Sequence, residues 1–386
     1  MGKIFKGILL KRISAFILVF LCLVSMCQAS FADELAISSP SAILIESQTG
    51  QVLFEKNAHE KLPPASVTKI MTMLLTIEAV DSGQIKMEDM VTCTEEAASM
   101  GGSQVYLEAG EQMSVHDMLK AVAVASGNDA AVALACHLSG SHEGFVKKMN
   151  ERAKELGMEN TNFVNCNGLD DENHYTTAYD ISVMSKELIS HPRIFEFTSI
   201  WMDSLRGGEF GLVNTNKLIR FYEGANGLKT GSTSIAKYCL SASAKRNDMN
   251  LIAVIMAAPT SKERFADATK LLDYGFANYA IANSLVTDED LTEIKVKKGA
   301  ENIVNPGAKE QTGVLVSKDK LNSIEKRLSI PEEIEAPIAK GQKIGEIEFF
   351  IDGNKVGGTD LVALKDIKKI NPLQMFVRLA NTMMYG

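Results

Sequence analysis

A chain of 386 residues, 46% hydrophobic and 23% charged, can bury an ample core and build more than one domain. Its formal net charge of −8 argues against a nucleic-acid partner, which a basic surface would serve. His59, His116, His137, His142, His174 and His191 show no H-x-x-x-H or H-x-E spacing and the cysteines no C-x-x-C, so neither a metal nor another cofactor is expected.

Lys3, Lys6, Lys11 and Arg12 precede an uncharged stretch from Ile13 to Met26, and Ser30-Phe31-Ala32 stands before Asp33. This is the pattern of a secretory signal peptide over residues 1–32. The apolar stretch is short for a bilayer span, so export is expected. Cleavage would remove four cations and no acid, taking the net charge from −8 to −12. Cys93, Cys136, Cys166 and Cys239 would remain, with the character of buried free thiols.

Ala42–Ile45 and Val52–Phe54 flank Ser47-Gln48-Thr49-Gly50 and read as a β-hairpin. Pro63-Pro64-Ala65 then signals a helix start at Ser66, ahead of the apolar run Ile70–Ile77. Further helices are expected over Ser114–Ala125, Asp129–Leu138, Glu143–Leu156 and Thr177–Ile189. Gly227–Gly231 opens a strand, Tyr238–Ala244 pairs with Leu251–Ala257 across Asn247-Asp248, and Lys262–Asn278 returns to helix. The order implies an α/β (α+β) fold, an antiparallel sheet with strands from both ends of the domain and helices inserted between them. This domain is expected over 33–283. From 284 to 368, short alternating runs such as Ile294–Val296, Gly313–Val316 and Ile344–Phe349 suggest a small β-rich domain. Residues 369–386 follow Lys365, Lys368 and Lys369 and place Leu373, Phe376, Val377, Ala380, Met383 and Met384 on one helical face, an amphipathic anchor lying in the plane of a membrane surface.

Ser66-Val67-Thr68-Lys69, Ser126-Gly127-Asn128 and Lys229-Thr230-Gly231 carry the chemistry. The S-x-x-K spacing also occurs at Ser234, Ser317 and Ser323, but only Ser66 follows a helix-start signal and precedes an apolar helix. At a helix N-terminus, backbone N–H groups and the macrodipole favour an attacking alkoxide and a nearby oxyanion. Lys69, three residues on, shares the face of Ser66 and can take its proton if it is neutral for part of the time. Burial beside a second cation lowers a lysine pKa in that direction, and Lys229 is the expected second cation.

The three motifs together form the established signature of penicillin-recognising serine acyltransferases. With Ser126-Gly127-Asn128-Asp129-Ala130, Asn167-Gly168-Leu169, Thr177-Ala178-Tyr179-Asp180 and Ala336-Pro337-Ile338-Ala339-Lys340-Gly341-Gln342, the chain resembles the D-alanyl-D-alanine carboxypeptidases, the low-molecular-mass penicillin-binding proteins. The resemblance implies a DD-peptidase/β-lactamase-like domain, a C-terminal β domain and a helix on the outer face of the cytoplasmic membrane. It implies Ser66 as nucleophile, Lys69 as base, Ser126 as proton relay, and Asn128 at the penultimate amide of the substrate. Lys229 would supply the field of the cleft, and the Ser66 and Ser232 N–H groups the oxyanion hole beside Gly231. Thr230 and Arg264 would bind the terminal carboxylate. The partners implied are peptidoglycan stem peptides, with β-lactams as inhibitors. Two positions depart from the family habit: Ser232 stands where His often follows K-T-G, and Asn226 where Asp often precedes Gly-Leu-Lys. A cross-link endopeptidase, a β-lactamase and a non-catalytic penicillin sensor remain as alternatives. The second is disfavoured because the chain has no E-x-x-L-N run, and the third because no spanning segment for signalling is apparent.

Overall fold

The computed structural model describes residues 35–283, 285–310, 313–372, 375–376 and 383–384. The expected signal segment, and most of the expected terminal helix, lie outside the described residues. Residues from Ser39 onward form one compact unit, separate from Met1–Ser38. In the latter, residues 35–38 carry neither helix nor strand.

The central sheet joins the two ends of the first region. The hairpin β1 (Ser41–Glu46) and β2 (Val52–Lys56) shares a sheet with three strands from much later in the chain, β3 (Ala225–Thr233), β4 (Lys237–Arg246) and β5 (Met249–Ala258), and β1 pairs with β5. The order is β2-β1-β5-β4-β3, antiparallel throughout. The expected antiparallel sheet with inserted helices is therefore what forms. Both faces are covered, so β5 reads as one apolar run rather than an alternation. Ile43, Ile45, Ile252, Val254 and Met256 join the core of the helical block. Leu44 and Leu251 instead meet Gly275, where a methyl group would come within 2.4 Å of Leu251.

Between the hairpin and the later strands lie α1 (Lys69–Asp81), α2 (Val115–Lys120), α3 (Asn128–Ser139), α4 (His142–Glu155) and α5 (Ala178–Ile189); α6 (Ser261–Asn278) follows β5. Helix α1 is apolar nearly all round and buries Ile70, Met71, Met73, Leu74 and Ile77, as a helix at the centre of a core must. Each such side chain contributes roughly 1.5–3 kcal/mol relative to exposure. The hydroxyls of Ser114, Ser141, Thr177 and Thr260 cap α2, α4, α5 and α6 by accepting an N–H from the first turn.

Two of the expected helices are revised. The helix expected to begin at Ser66 begins at Lys69, and Ala65–Thr68 form a 3-10 turn. The helix expected through Ala125 is α-helical only to Lys120; Ala121–Ala125 widen into a π turn that ends at Ser126 with φ 64°. Nothing in the small apolar run Ala121–Ala125 distinguishes the two windings locally.

The C-terminal region builds a sheet from Pro306–Ala308, Asn354–Ala363, Lys343–Ile351 and Glu325–Ser329, a smaller one around Ile294–Lys297, and a pair in which Tyr279–Ala282 meets Val314–Ser317. Its core is two small clusters, one around Ile294, Ile338 and Ile367, the other around Val314, Phe349 and Leu361. The expected strands at 294, 313 and 344 are all present. Asn354–Ala363 escaped notice because Gly357 and Gly358 interrupt its pattern, and Glu325–Ser329 because all five of its residues are exposed. Among the described residues, no helix is long and apolar enough to cross a membrane.

Candidate active site

Ser66 sits on the 3-10 turn that feeds α1, clasped between two glycines. A side chain at Gly168 would come within 1.9 Å of the Ala65 carbonyl oxygen, and one at Gly231 within 2.8 Å of the Ser66 nitrogen. The turn is held in this narrow slot with Ala65 at φ 48°, a conformation uncommon for a residue with a side chain. Thr68 adds an internal tie by donating from Oγ1 to the Ala65 carbonyl at 2.8 Å.

Lys69 is fully buried on the first turn of α1. Its Nζ lies 3.0 Å from Ser66 Oγ, 2.5 Å from Asn128 Oδ1 and 2.6 Å from the Asn167 carbonyl oxygen. A neutral amine has two hydrogens and one lone pair. With two acceptors supplied by Asn128 and Asn167, the lone pair is left for the Ser66 hydroxyl. Burial lowers the Lys69 pKa to about 7, against the opposing pull of Cys166 and Asp129. The expected burial is thus the leading cause, whereas Lys229, expected as the second cation, is not among the causes. Lys229, equally buried, is itself held well below the ordinary range, first by burial and then by repulsion from Lys69 and Arg264.

Asn128 opens α3 two residues after the left-handed Ser126, and both ends of its amide are engaged. Oδ1 accepts from Lys69 while Nδ2 donates to the Gly101 carbonyl at 2.6 Å. The neighbouring Asp129 carboxylate accepts from the Val105 and Leu107 N–H groups and so pins the segment that faces Asn128. Through Asn128, the Ser126 turn and the Ser66 turn become parts of one site.

The K-T-G segment lies on β3 beside this turn. Lys229 Nζ donates to the Thr230 carbonyl at 2.9 Å, and Thr230 Oγ1 donates to Thr215 Oγ1 at 2.6 Å. Ser232 is exposed at the end of the strand, paired across the sheet with Tyr238. Arg264 reaches β3 from α6, where Nη1 donates to the Gly231 and Cys239 carbonyls at 3.1 and 3.2 Å and Nη2 to Ser261 Oγ at 3.3 Å. It is 6% exposed, and burial lowers its pKa to about 10. Asn226 accepts from Ser243 Oγ at 2.6 Å, so this position remains polar and partnered without a carboxylate.

The sequence reading assigned no role to Asn167, Thr215 or Thr68. Asn167 belongs to a run of turn-forming residues, Asn165-Cys166-Asn167-Gly168, that signals a tight backbone but not the carbonyl it aims at Lys69. Among the described residues, Glu78, Glu187 and His191 lie close enough to share a metal ion, but the Arg152 guanidinium donates to Glu78 at 2.8 Å and Glu187 at 2.7 Å, and His191 Nδ1 meets Asp81 at 2.7 Å.

Comparison with known proteins matches residues 28–260 to the D-alanyl-D-alanine carboxypeptidase family and residues 282–369 to the C-terminal domain of penicillin-binding protein 5. The D-alanyl-D-alanine carboxypeptidase DacF of Bacillus subtilis is 46% identical over 371 residues, covering 93% of this chain and 95% of its own. Penicillin-binding protein 5 of Haemophilus influenzae superposes with a TM-score of 0.75 at 34% identity, over 86% of this chain and 98% of that structure. Penicillin-binding protein D2 of Listeria monocytogenes, in its ampicillin-bound form, matches 62% of this chain and 98% of its own at 34% identity and a TM-score of 0.57. Agreement that runs through both matched regions and nearly the full length of the chain places this protein in the D-alanyl-D-alanine carboxypeptidase family of low-molecular-mass penicillin-binding proteins.

Proposed function

We propose that the enzyme removes the terminal D-alanine from peptidoglycan stem pentapeptides through an acyl-enzyme on Ser66. The observation that carries this reading is the 3.0 Å contact between Ser66 Oγ and the Nζ of a buried lysine whose other two contacts are acceptors. Lys69 takes the hydroxyl proton as Oγ attacks the penultimate D-alanyl carbonyl. The Ser66 and Ser232 N–H groups receive the oxyanion, two donors that could each lower the barrier by roughly 3 kcal/mol. The peptide C–N bond then breaks, the departing amine gains the proton from Lys69 by way of Ser126, and D-alanine leaves. Water attacks the ester by the reverse route, giving the tetrapeptide and restoring Ser66. Thr230 and Arg264 receive the substrate's terminal carboxylate, with Thr215 added here as the hydroxyl that orients Thr230. An exopeptidase must read that free carboxylate; Arg264 supplies positive charge behind Gly231, and its Nη groups would have to leave Gly231, Cys239 and Ser261 to grip the carboxylate with parallel donors. Asn128 is engaged with Lys69 and Gly101, so its first role is to hold the base. The amide nitrogen has two hydrogens, so Nδ2 can keep Gly101 and offer the second to the substrate carbonyl.

The same nucleophile opens a β-lactam ring, and the amine released there stays tethered to the acyl group. Stable labelling by a fluorescent penicillin is expected, and rapid release of hydrolysed drug would favour the lactamase reading. D-alanine release from a pentapeptide, with Ser66→Ala as control, tests the function itself; equal release by both proteins refutes it. Residues 33–283 act as the peptidase domain in this scheme, and 284–368 as its β-rich support.

We further infer export and peripheral attachment to the outer face of the cytoplasmic membrane. The support is the basic and apolar pattern of residues 1–32, and the amphipathic pattern after Lys369, where Met375 and Phe376 are 48% and 71% exposed. Deleting residues 371–386 should yield a soluble, active enzyme; if the shortened protein still sediments with membranes, the anchor lies elsewhere.

A further inference from the structure

His174 is 2% exposed and carries no assigned role, yet it joins two parts of the site. Its Nδ1 accepts the Val164 N–H at 3.0 Å, which in a neutral imidazole leaves the proton on Nε2. Nε2 lies 2.8 Å from Thr68 Oγ1. That hydroxyl already donates to the Ala65 carbonyl, so it is the acceptor from His174. Donor and acceptor roles therefore run in one sense, from Val164 through the ring and the Thr68 hydroxyl to the nucleophile turn.

Both ends of this chain bear on catalysis. Thr68 lies between Ser66 and Lys69, and its hydroxyl closes the 3-10 turn. Val164 begins the segment whose Cys166 carbonyl accepts from Thr72 Oγ1 at 2.6 Å and whose Asn167 carbonyl accepts from Lys69. Gly168 of the same segment packs on the Ala65 carbonyl. The ring is thus a strut between the turn that carries the nucleophile and the segment that holds the base. Burial pushes its pKa down to about 4, against the pull of Asp171 and Asp170, so the neutral form the hydrogen bonds require persists at ordinary pH.

We propose that His174 is a positioning residue for acylation, fixing the distance between Ser66 and Lys69 through Thr68 on one side and the Val164–Gly168 segment on the other. The inference rests on the reading of Ser66 as nucleophile. The test measures the acylation rate of the folded fraction with a fluorescent penicillin, and the melting temperature in parallel. Thr68→Val and His174→Asn should each slow acylation by about 10- to 100-fold, as a misplacement near 1 Å would. Because both cut the same link, the double variant should be little slower than the slower single. His174→Gln, whose amide nitrogen can take the place of Nε2, should stay within about threefold of the parent. A merely structural role would lower the melting temperature of all variants and leave the rate of the folded fraction unchanged. That result, wild-type acylation by His174→Asn, equal slowing by Gln and Asn, or multiplying losses in the double variant would each overturn the proposal. If the unsubstituted protein is not labelled at all, the reading of Ser66 falls and this inference with it.

Discussion

The two buried lysines of the active site and the exposed lysines of the C-terminal region obey opposite physics. In the peptidase region Lys69 and Lys229 are at most 1% exposed, have no carboxylate among their hydrogen-bond partners, and are held below their ordinary pKa by burial. In the C-terminal region the exposed Lys343 lies 2.7 Å from Glu346 and 2.6 Å from Asp360, and these partners move its pKa up. Lys297 with Glu333 and Lys355 with Glu348 form further exposed ion pairs. A solvated ion pair holds its charge, screened by salt and nearly neutral for stability. A buried, unpaired lysine destabilises the fold and gains the capacity to be neutral near pH 7, which is what a base requires.

The widest separation between the regions should come from one substitution made twice. Lys69→Met should slow acylation by about 10²- to 10⁴-fold, the usual worth of a general base. Lys343→Met should leave the rate unchanged; comparable losses would mean that Lys69 serves only structure. Alanine in place of glycine is a second paired test. At Gly168 (φ 87°) the new carbon meets the Ala65 carbonyl at 1.9 Å, so acylation should fall by about 100-fold or the protein should fail to fold. At Gly353 (φ 79°) nothing lies within 4 Å, and only the left-handed backbone cost of about 1–2 kcal/mol should appear in denaturant melts.

Acidity probes the buried lysine directly. Acylation should rise up to tenfold per pH unit below about 7 and level off above it, as Lys69 loses its proton. The same shift acts on stability. Because the folded pKa lies below the unfolded 10.5, the folded chain binds fewer protons between about 7 and 10.5, so the Lys69 contribution declines as pH falls through that window and is constant below it. A flat acylation profile from pH 5 to 9 would contradict a titrating base. The smallest effect belongs to Thr215→Val, which strips Thr230 of its hydroxyl partner; the KM for pentapeptide should rise by about fivefold, near 1 kcal/mol, with kcat little changed.

The chain order of hairpin, helices, three strands and helix was legible from periodicity and turn residues, because each of those elements is specified by its own neighbours. Ser66, Lys69, Ser126, Asn128 and the K-T-G strand could be nominated from the three motifs together with the local context of Ser66, since the S-x-x-K spacing alone is shared by Ser234, Ser317 and Ser323. The termini of the helices at the site were not legible. Ala65–Thr68 winds as a 3-10 turn between Gly168 and Gly231, and Ala121–Ala125 as a π turn ending in a left-handed Ser126. Asn167, Thr215 and His174 entered only through contacts, and so did the finding that Lys229 is not among the causes of the Lys69 shift. Residue types and spacing are local properties and survive in a string of letters. Burial, and the aim of a carbonyl or a ring nitrogen at a group 98 or 106 residues away, exist only once the chain has closed on itself.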